Sequence, residues 1–356
     1  MAAGFRSAAV VLPCAELAPN VEFFESLGFR LDIITPADDP TVAELSGHGL
    51  RIRLERGDGA PGSLRLEALG ARAQELVAPN GTRVLISAET QLQVPALVPS
   101  YVLSRIADAH WVEGRAGMRY RDLVPDRQGG RYIASHIQIR DAGPVPDYVH
   151  HHQIQFQAIY VQAGWVEVVY ESHGAPIVMR QGDCVLQPPH IRHRVLSCSA
   201  GLEVVEIACP AAHPTFREHD LTLPTKACER EFAGQRFIHH VAAGAPWRPS
   251  PLGEARDTGL AQASGGLVDV QVLREIPTDQ HFSHDGELCM FFVSAGSASF
   301  TSQAQEQVTL AVGDSVAIPA GMSFAFLEPT VEFELLRIAS PATLTLLPHP
   351  QMRRTS

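Results

Sequence analysis

The sequence predicts a mainly β protein: two β-barrels in tandem, preceded by a small α+β module. Three observations predict it. Most of the chain consists of short β-rich runs that end at Gly, Pro, Asp or Asn. The region after residue 110 carries an internal repeat. The first hundred residues depart from that pattern, with a helical stretch set among strands.

Within the first hundred residues, AAVVLP reads as a strand and VEFFESLG as part of an amphipathic helix from Leu17 to Leu27. FRLDIITP, TVAELSG and LRIRLERG read as three further strands, giving the order βαβββ. LVAPNGTRVLIS then reads as a hairpin turning on Asn-Gly. The run P-x3-L-x3-V-x-F-F-x-x-L-G-F and the later APNGTRVLI resemble one module of the vicinal-oxygen-chelate (glyoxalase) superfamily. That resemblance implies metal ligands on the first and last strands. The positions there are Leu12 and Cys14, then Arg51, Arg53 and Glu55, which make no complete metal site. The module, residues 1–104, is expected to be structural or to shield a substrate, with His48 as a turn residue.

The repeat supplies the two barrels. Its first copy begins RYRDLVPD and its second EARDTGLA, each an Arg-Asp start. Each copy then has a His-bearing strand, a hairpin at Gly164 or Gly296, and a Gly-Asp turn before a Pro-containing strand. Two units of about 110 residues match an ordinary domain size. The expected domains are 105–228 and 229–356, with a Pro- and Gly-containing linker near Leu221 to Pro251.

The first copy holds a metal-ligand pattern. His150 and His152 are two apart on a strand, so they share a face. Gln157 lies five residues on, in the next strand, and His193 arrives after the Gly182-Asp183 turn. Converging inside a barrel, the four can hold one divalent cation, three imidazoles and a neutral amide oxygen. His151 alternates with the ligands and is expected to point outward.

The spacing His150-x-His152-x4-Gln157-x6-Gly164, then Gly182-x5-Pro188-x4-His193, resembles the two cupin motifs. The resemblance covers residues 110 to 345 as a bicupin, a tandem of double-stranded β-helix (jelly-roll) barrels. Gln157 stands where those motifs carry Glu, His190 where they carry Gly, and Leu196 and Ser197 replace their Asn region. A centre of three His, with or without Gln, is similar to those of several cupin dioxygenases. It also resembles that of a cupin of pectin breakdown that works without oxygen.

Further pocket groups are Glu206, Tyr148 and Arg192. Glu206 sits amid apolar neighbours; pointing inward it is a general base, pointing outward a sheet-surface residue. Glu203 has the opposite phase, so parity does not choose. Tyr148 can donate a hydrogen bond at the mouth or pack at its rim. Arg192 and His190 bracket His193 and either reach a carboxylate substrate or sit in a solvated loop. Ile159 and Val161 share a face with Gln157, so the wall near the metal is expected to be apolar. In the second copy the matching positions are Phe282, His284, Cys289 and Phe324, too few ligands for a metal. That barrel is expected to be a scaffold or dimerisation partner.

Composition narrows the function. Net charge is −11 with no basic block, which disfavours nucleic acid and anionic membranes. No apolar run is long enough to span a bilayer. Six scattered cysteines without C-x-x-C suggest reduced thiols and a cytoplasmic location. The expected protein is a metal-dependent enzyme of a small-molecule metabolite, first a mononuclear non-haem iron dioxygenase. Its cofactor is one divalent metal, Fe(II) first, with Zn, Ni or Mn as alternatives. A non-oxidative isomerase, lyase or hydrolase, and a non-catalytic binder, stay open, as does a homodimer.

Overall fold

A computed structural model describes residues 4–88, 92–278 and 280–349. The chain divides into two compact units, Met1–Gln91 and Leu92–Ser356.

In the first unit the strand Val10–Cys14 pairs in parallel with Leu50–Arg56, and Val42–Gly47 and Arg30–Thr35 complete a four-stranded sheet. The helix Leu17–Ser26 buries Leu17, Val21 and Phe24, positions three and four apart that form one stripe. The stripe packs with Leu12, Leu45, Ile52 and Leu54. The expected Asn-Gly hairpin joins Gln74–Val77 to Arg83–Ala88, and Asn80 Nδ2 donates to Pro13 O. Cys14 is core. Arg51 and Arg53 both pair with Glu44, and Arg53 also with Glu55.

The second unit holds both barrels. The first has a seven-stranded sheet containing Arg119–Asp122, Ile133–Ile139, Leu202–Cys209, Phe156–Ala163 and Cys184–Gln187. The smaller sheet opposite contains Ile177–Arg180, Trp165–Tyr170, His193–Cys198, His150–His152 and Thr215–Arg217. The second barrel repeats the plan, with Asp269–Arg274, Glu334–Ser340 and Leu288–Ala295 in its seven-stranded sheet.

The two large sheets meet through a shared core. Phe156, Ala158 and Tyr160 of one sheet join Met290, Phe292 and Ile338 of the other. Strands buried on both faces read as continuous apolar runs, which is why LEVVEIAC shows little alternation. Tyr132 Oη bonds Ser340 Oγ and Glu287, and Gln162 Nε2 donates to Ser294 O across this contact.

Strand pairing crosses the domain limits read from the sequence. Val102–Ser104 pairs with Ser315–Ile318 of the second barrel, although the limit of 104 assigned it to the first module. Ile238–His240, placed beyond 228, pairs with Cys184–Gln187 of the first barrel. Each strand covers a sheet edge that would otherwise expose unpaired backbone groups.

The barrel interiors differ. Phe282, Phe291, Phe300, Phe324 and Phe326 fill the second, with ring centroids 5.3 to 6.2 Å apart. His284 is committed there, its Nε2 donating to Ile318 O and its Nδ1 accepting from Gly286 N. The first barrel, with valines where the second has phenylalanines, holds a cavity of about 440 Å³. All six cysteines are free. Among the described residues no helix is long and apolar enough to cross a membrane.

Candidate metal centre

Three strands bring the candidate ligands together. His150 and His152 project from one face of their strand, and His193 pairs directly with His150 in the neighbouring strand. All three are buried, and a nitrogen of each lies within 4.8 Å of the others. His151 points away and stacks on Phe216 with ring centroids 5.1 Å apart, as alternation requires.

Each imidazole is oriented through Nδ1. His150 Nδ1 donates to Tyr148 O at 2.8 Å and His193 Nδ1 to Ile191 O at 3.0 Å, and His152 Nδ1 is hydrogen-bonded with Thr215 Oγ1 at 2.8 Å. An N–H on Nδ1 leaves a lone pair on Nε2, the arrangement a metal-binding imidazole needs. Burial favours the neutral rings. It lowers the pKa of His150, pushes that of His152 down to about 2, and holds His193 well below the usual range.

Gln157 faces the same cavity from the opposite sheet. Its side chain hydrogen-bonds Glu206, while its buried Oε1 has no partner. A buried acceptor without a donor is costly, and Oε1 of Gln187, which lines the same cavity, is also without a partner. Three neutral imidazoles and an orphaned amide oxygen fit a divalent cation of the borderline class, which includes iron, zinc and nickel.

The rest of the lining is mostly apolar, with Met118, Ile137, Ile159, Val168 and Val204 among its side chains. The structure resolves the parity of Glu206. Leu202, Val204 and Glu206 line the cavity, while Val205 and Ile207 face the other barrel. Glu203 lies on the opposite face and is taken up by His136 and Gln138. Burial raises the pKa of Glu206, opposed by its bond to Gln157 and the charge of Arg115.

Two expected pocket residues lie elsewhere. Arg192 lies just before the strand that begins at His193, and its Nε donates to Glu218 at 3.0 Å. His190 sits beside His151, their Nδ1 atoms 3.4 Å apart. The Tyr148 ring packs edge-on to His150 and beneath the Arg217 guanidinium. Tyr148 serves the site through its backbone carbonyl, which orients His150.

Sequence reasoning missed Arg115, Asp147, Thr215 and Gln187. Arg115 Nη1 donates to Asp147 Oδ1 at 2.6 Å, and its Nη2 lies 2.7 Å from His150 Nε2. Asp147 is itself buried and accepts from Val195 N. Arg115 sits on an irregular turn with positive φ at Ala116 and Gly117, where no periodicity signals a side chain's direction. Gln187, opposite Gln157 in the register, was legible by parity alone.

No family model and no curated protein matches the sequence. Solved structures do match in fold. An oxalate decarboxylase from Bacillus subtilis is 12% identical, with 72% of this chain and 79% of that chain covered and a TM-score of 0.51. Ylba from E. coli is 11% identical, with 70% of this chain and 94% of that chain covered and a TM-score of 0.50. The Lactobacillus farciminis oxalate decarboxylase formate complex is 11% identical over 72% and 90% of the two chains, with a TM-score of 0.51. The shared property is the fold, a bicupin.

Proposed function

We propose that the chain is a metal-dependent enzyme of a small organic metabolite, with His150, His152, His193 and Gln157 as the metal ligands. The observation that carries this reading is the set of three Nδ1-tethered imidazoles aimed into a largely apolar cavity. A cavity of about 440 Å³ suits a small molecule. The favoured reaction is that of a mononuclear non-haem iron dioxygenase acting on a chelating hydroxy acid, diphenol or diketone. Bound here, Fe(II) would supply Lewis acidity and the capacity to react with dioxygen.

The chain's own residues have separable tasks. The three histidines and Gln157 are neutral, leaving the centre's positive charge for an anionic chelator. Met118, Ile137, Ile159 and Val168 exclude water from the reacting atoms. Glu206 presents a carboxyl to the cavity, where it can take the proton of a substrate hydroxyl. That carboxyl also favours one second reading, a non-oxidative lyase or isomerase, in which proton transfer is the main chemistry.

Oxygen uptake separates the two. Iron-loaded protein is screened with hydroxy acids, diphenols and diketones in an oxygen electrode, beside His193→Ala. Substrate-dependent uptake in the wild type, absent from the variant, supports the dioxygenase. Turnover that continues unchanged without oxygen rejects it in favour of the second reading.

A further inference from the structure

One hydrogen bond in the cavity conflicts with metal binding. His150 Nδ1 carries its proton to Tyr148 O, so Nε2 has the ring's only free lone pair. Arg115 Nη2 lies 2.7 Å from that nitrogen and donates to it. A metal needs the same lone pair, and one lone pair does not serve both. Arg115 also holds the Asp147 carboxylate through Nη1, and the Asp147 side chain is fully buried. Asp147 is anchored in turn by Val195 N. The guanidinium therefore has a fixed pivot on one side and a displaceable bond on the other. Among the described residues that line the cavity, Arg115 is the one arginine or lysine.

We propose that Arg115 is a latch on the metal centre: it occupies His150 Nε2 in the metal-free protein, is displaced on metal loading, and then presents its freed N–H to an anion in the same cavity. The proposal rests on the metal-enzyme reading above and adds a coupling to it. Metal and organic anion bind cooperatively, because the metal releases the donor that the anion uses, and the anion engages the donor that competes with the metal. By linkage each ligand raises the affinity of the other by the same factor. A carboxylate fits the role, since a guanidinium pairs with it through charge-assisted hydrogen bonds. Asp147 acts through Arg115, as a positioning residue.

The test is the metal affinity of purified protein, measured by competition with a chromophoric chelator, with and without acetate as the anion probe. The proteins are wild type, Arg115→Lys, Arg115→Met and His193→Ala. Arg115→Lys keeps the charge beside Asp147 but lacks the fork that spans both Asp147 and His150. Both Arg115 variants are expected to bind metal about tenfold or more tightly, the worth of a charge-assisted bond that no longer competes. Acetate is expected to tighten metal binding in the wild type and to lose most of that effect in Arg115→Met. If Arg115→Met fails to fold because Asp147 is left unpaired, Arg115→Met/Asp147→Asn replaces it.

Unchanged or weaker metal affinity in both Arg115 variants overturns the proposal. A gain in Arg115→Met alone also overturns it, since loss of charge would then explain the effect without competition for the lone pair. An acetate effect equal in wild type and Arg115→Met overturns the coupling. A wild type that binds no metal, or a His193→Ala that binds it as well as wild type, is a different outcome. It removes the metal-enzyme reading on which the latch depends.

Discussion

Thr215→Val removes one hydroxyl from the site and preserves the shape and strand preference of the side chain. Of the three imidazole tethers, two end on backbone carbonyls, those of Tyr148 and Ile191. The third ends on Thr215 Oγ1, so it alone can be removed by substitution. The bond is 2.8 Å long and its imidazole partner is buried. Metal binding at Nε2 polarises the ring and strengthens the Nδ1–H bond, placing it among bonds to charged groups, worth about 1.5–3 kcal/mol. Because the bond is made without metal as well, only its strengthening bears on affinity, and loss of such an outer partner is expected to weaken metal binding roughly 10- to 100-fold. The assay is chelator competition on the purified protein, with Thr215→Ser as the rescue. Thr215→Ser is expected to recover most of the affinity, and the metal-free proteins are expected to melt within a few degrees of one another. Wild-type affinity in Thr215→Val, or a serine variant no better than valine, would refute the assigned tether.

Three further outcomes follow from the geometry. Glu206→Gln keeps the size and hydrogen-bonding edge of the side chain, so metal content is expected to stay at the wild-type level. Turnover is expected to fall by about 10²- to 10⁴-fold, the usual worth of a positioned proton acceptor, read in steady-state kinetics. Phe324→Ala opens a void among the rings of Phe282, Phe291 and Phe326, and is expected to cost about 3–5 kcal/mol in denaturant unfolding while leaving the metal content of the first barrel unchanged. Arg192→Ala breaks ion pairs with Glu218 and Glu171 on the outer face and is expected to cost on the order of 1 kcal/mol, with metal binding and turnover unaffected.

The histidine cluster was legible because period-two alternation holds where the strand is regular. His150 and His152 share a face and His151 does not, as one rule requires. Arg192 lies just before the strand that begins at His193, so alternation did not choose between a substrate contact and a solvated loop. Tyr148 lies just before the strand begins at His150, where alternation no longer applies. Glu206 was undecidable because its strand is buried on both faces, so apolar residues flank it in either phase. The duplication of the barrels was plain in the repeat, but the exchange of edge strands was not. Val102–Ser104 and Ile238–His240 are three-residue strands whose partners lie more than fifty residues away. Arg115 belongs to the same class of loss. Its position depends on a tight turn and on Asp147, thirty-two residues distant, and no local pattern encodes that pairing.

The proposed metal centre is built on His150, His152 and His193. Elemental analysis of the purified protein beside His193→Ala tests it most directly, after both are stripped and reconstituted with Fe(II), Zn or Mn under the same conditions. One divalent ion per wild-type chain is expected, with little or none in a variant that keeps the wild-type circular dichroism. Equal metal in both, or none in either after reconstitution, would contradict it.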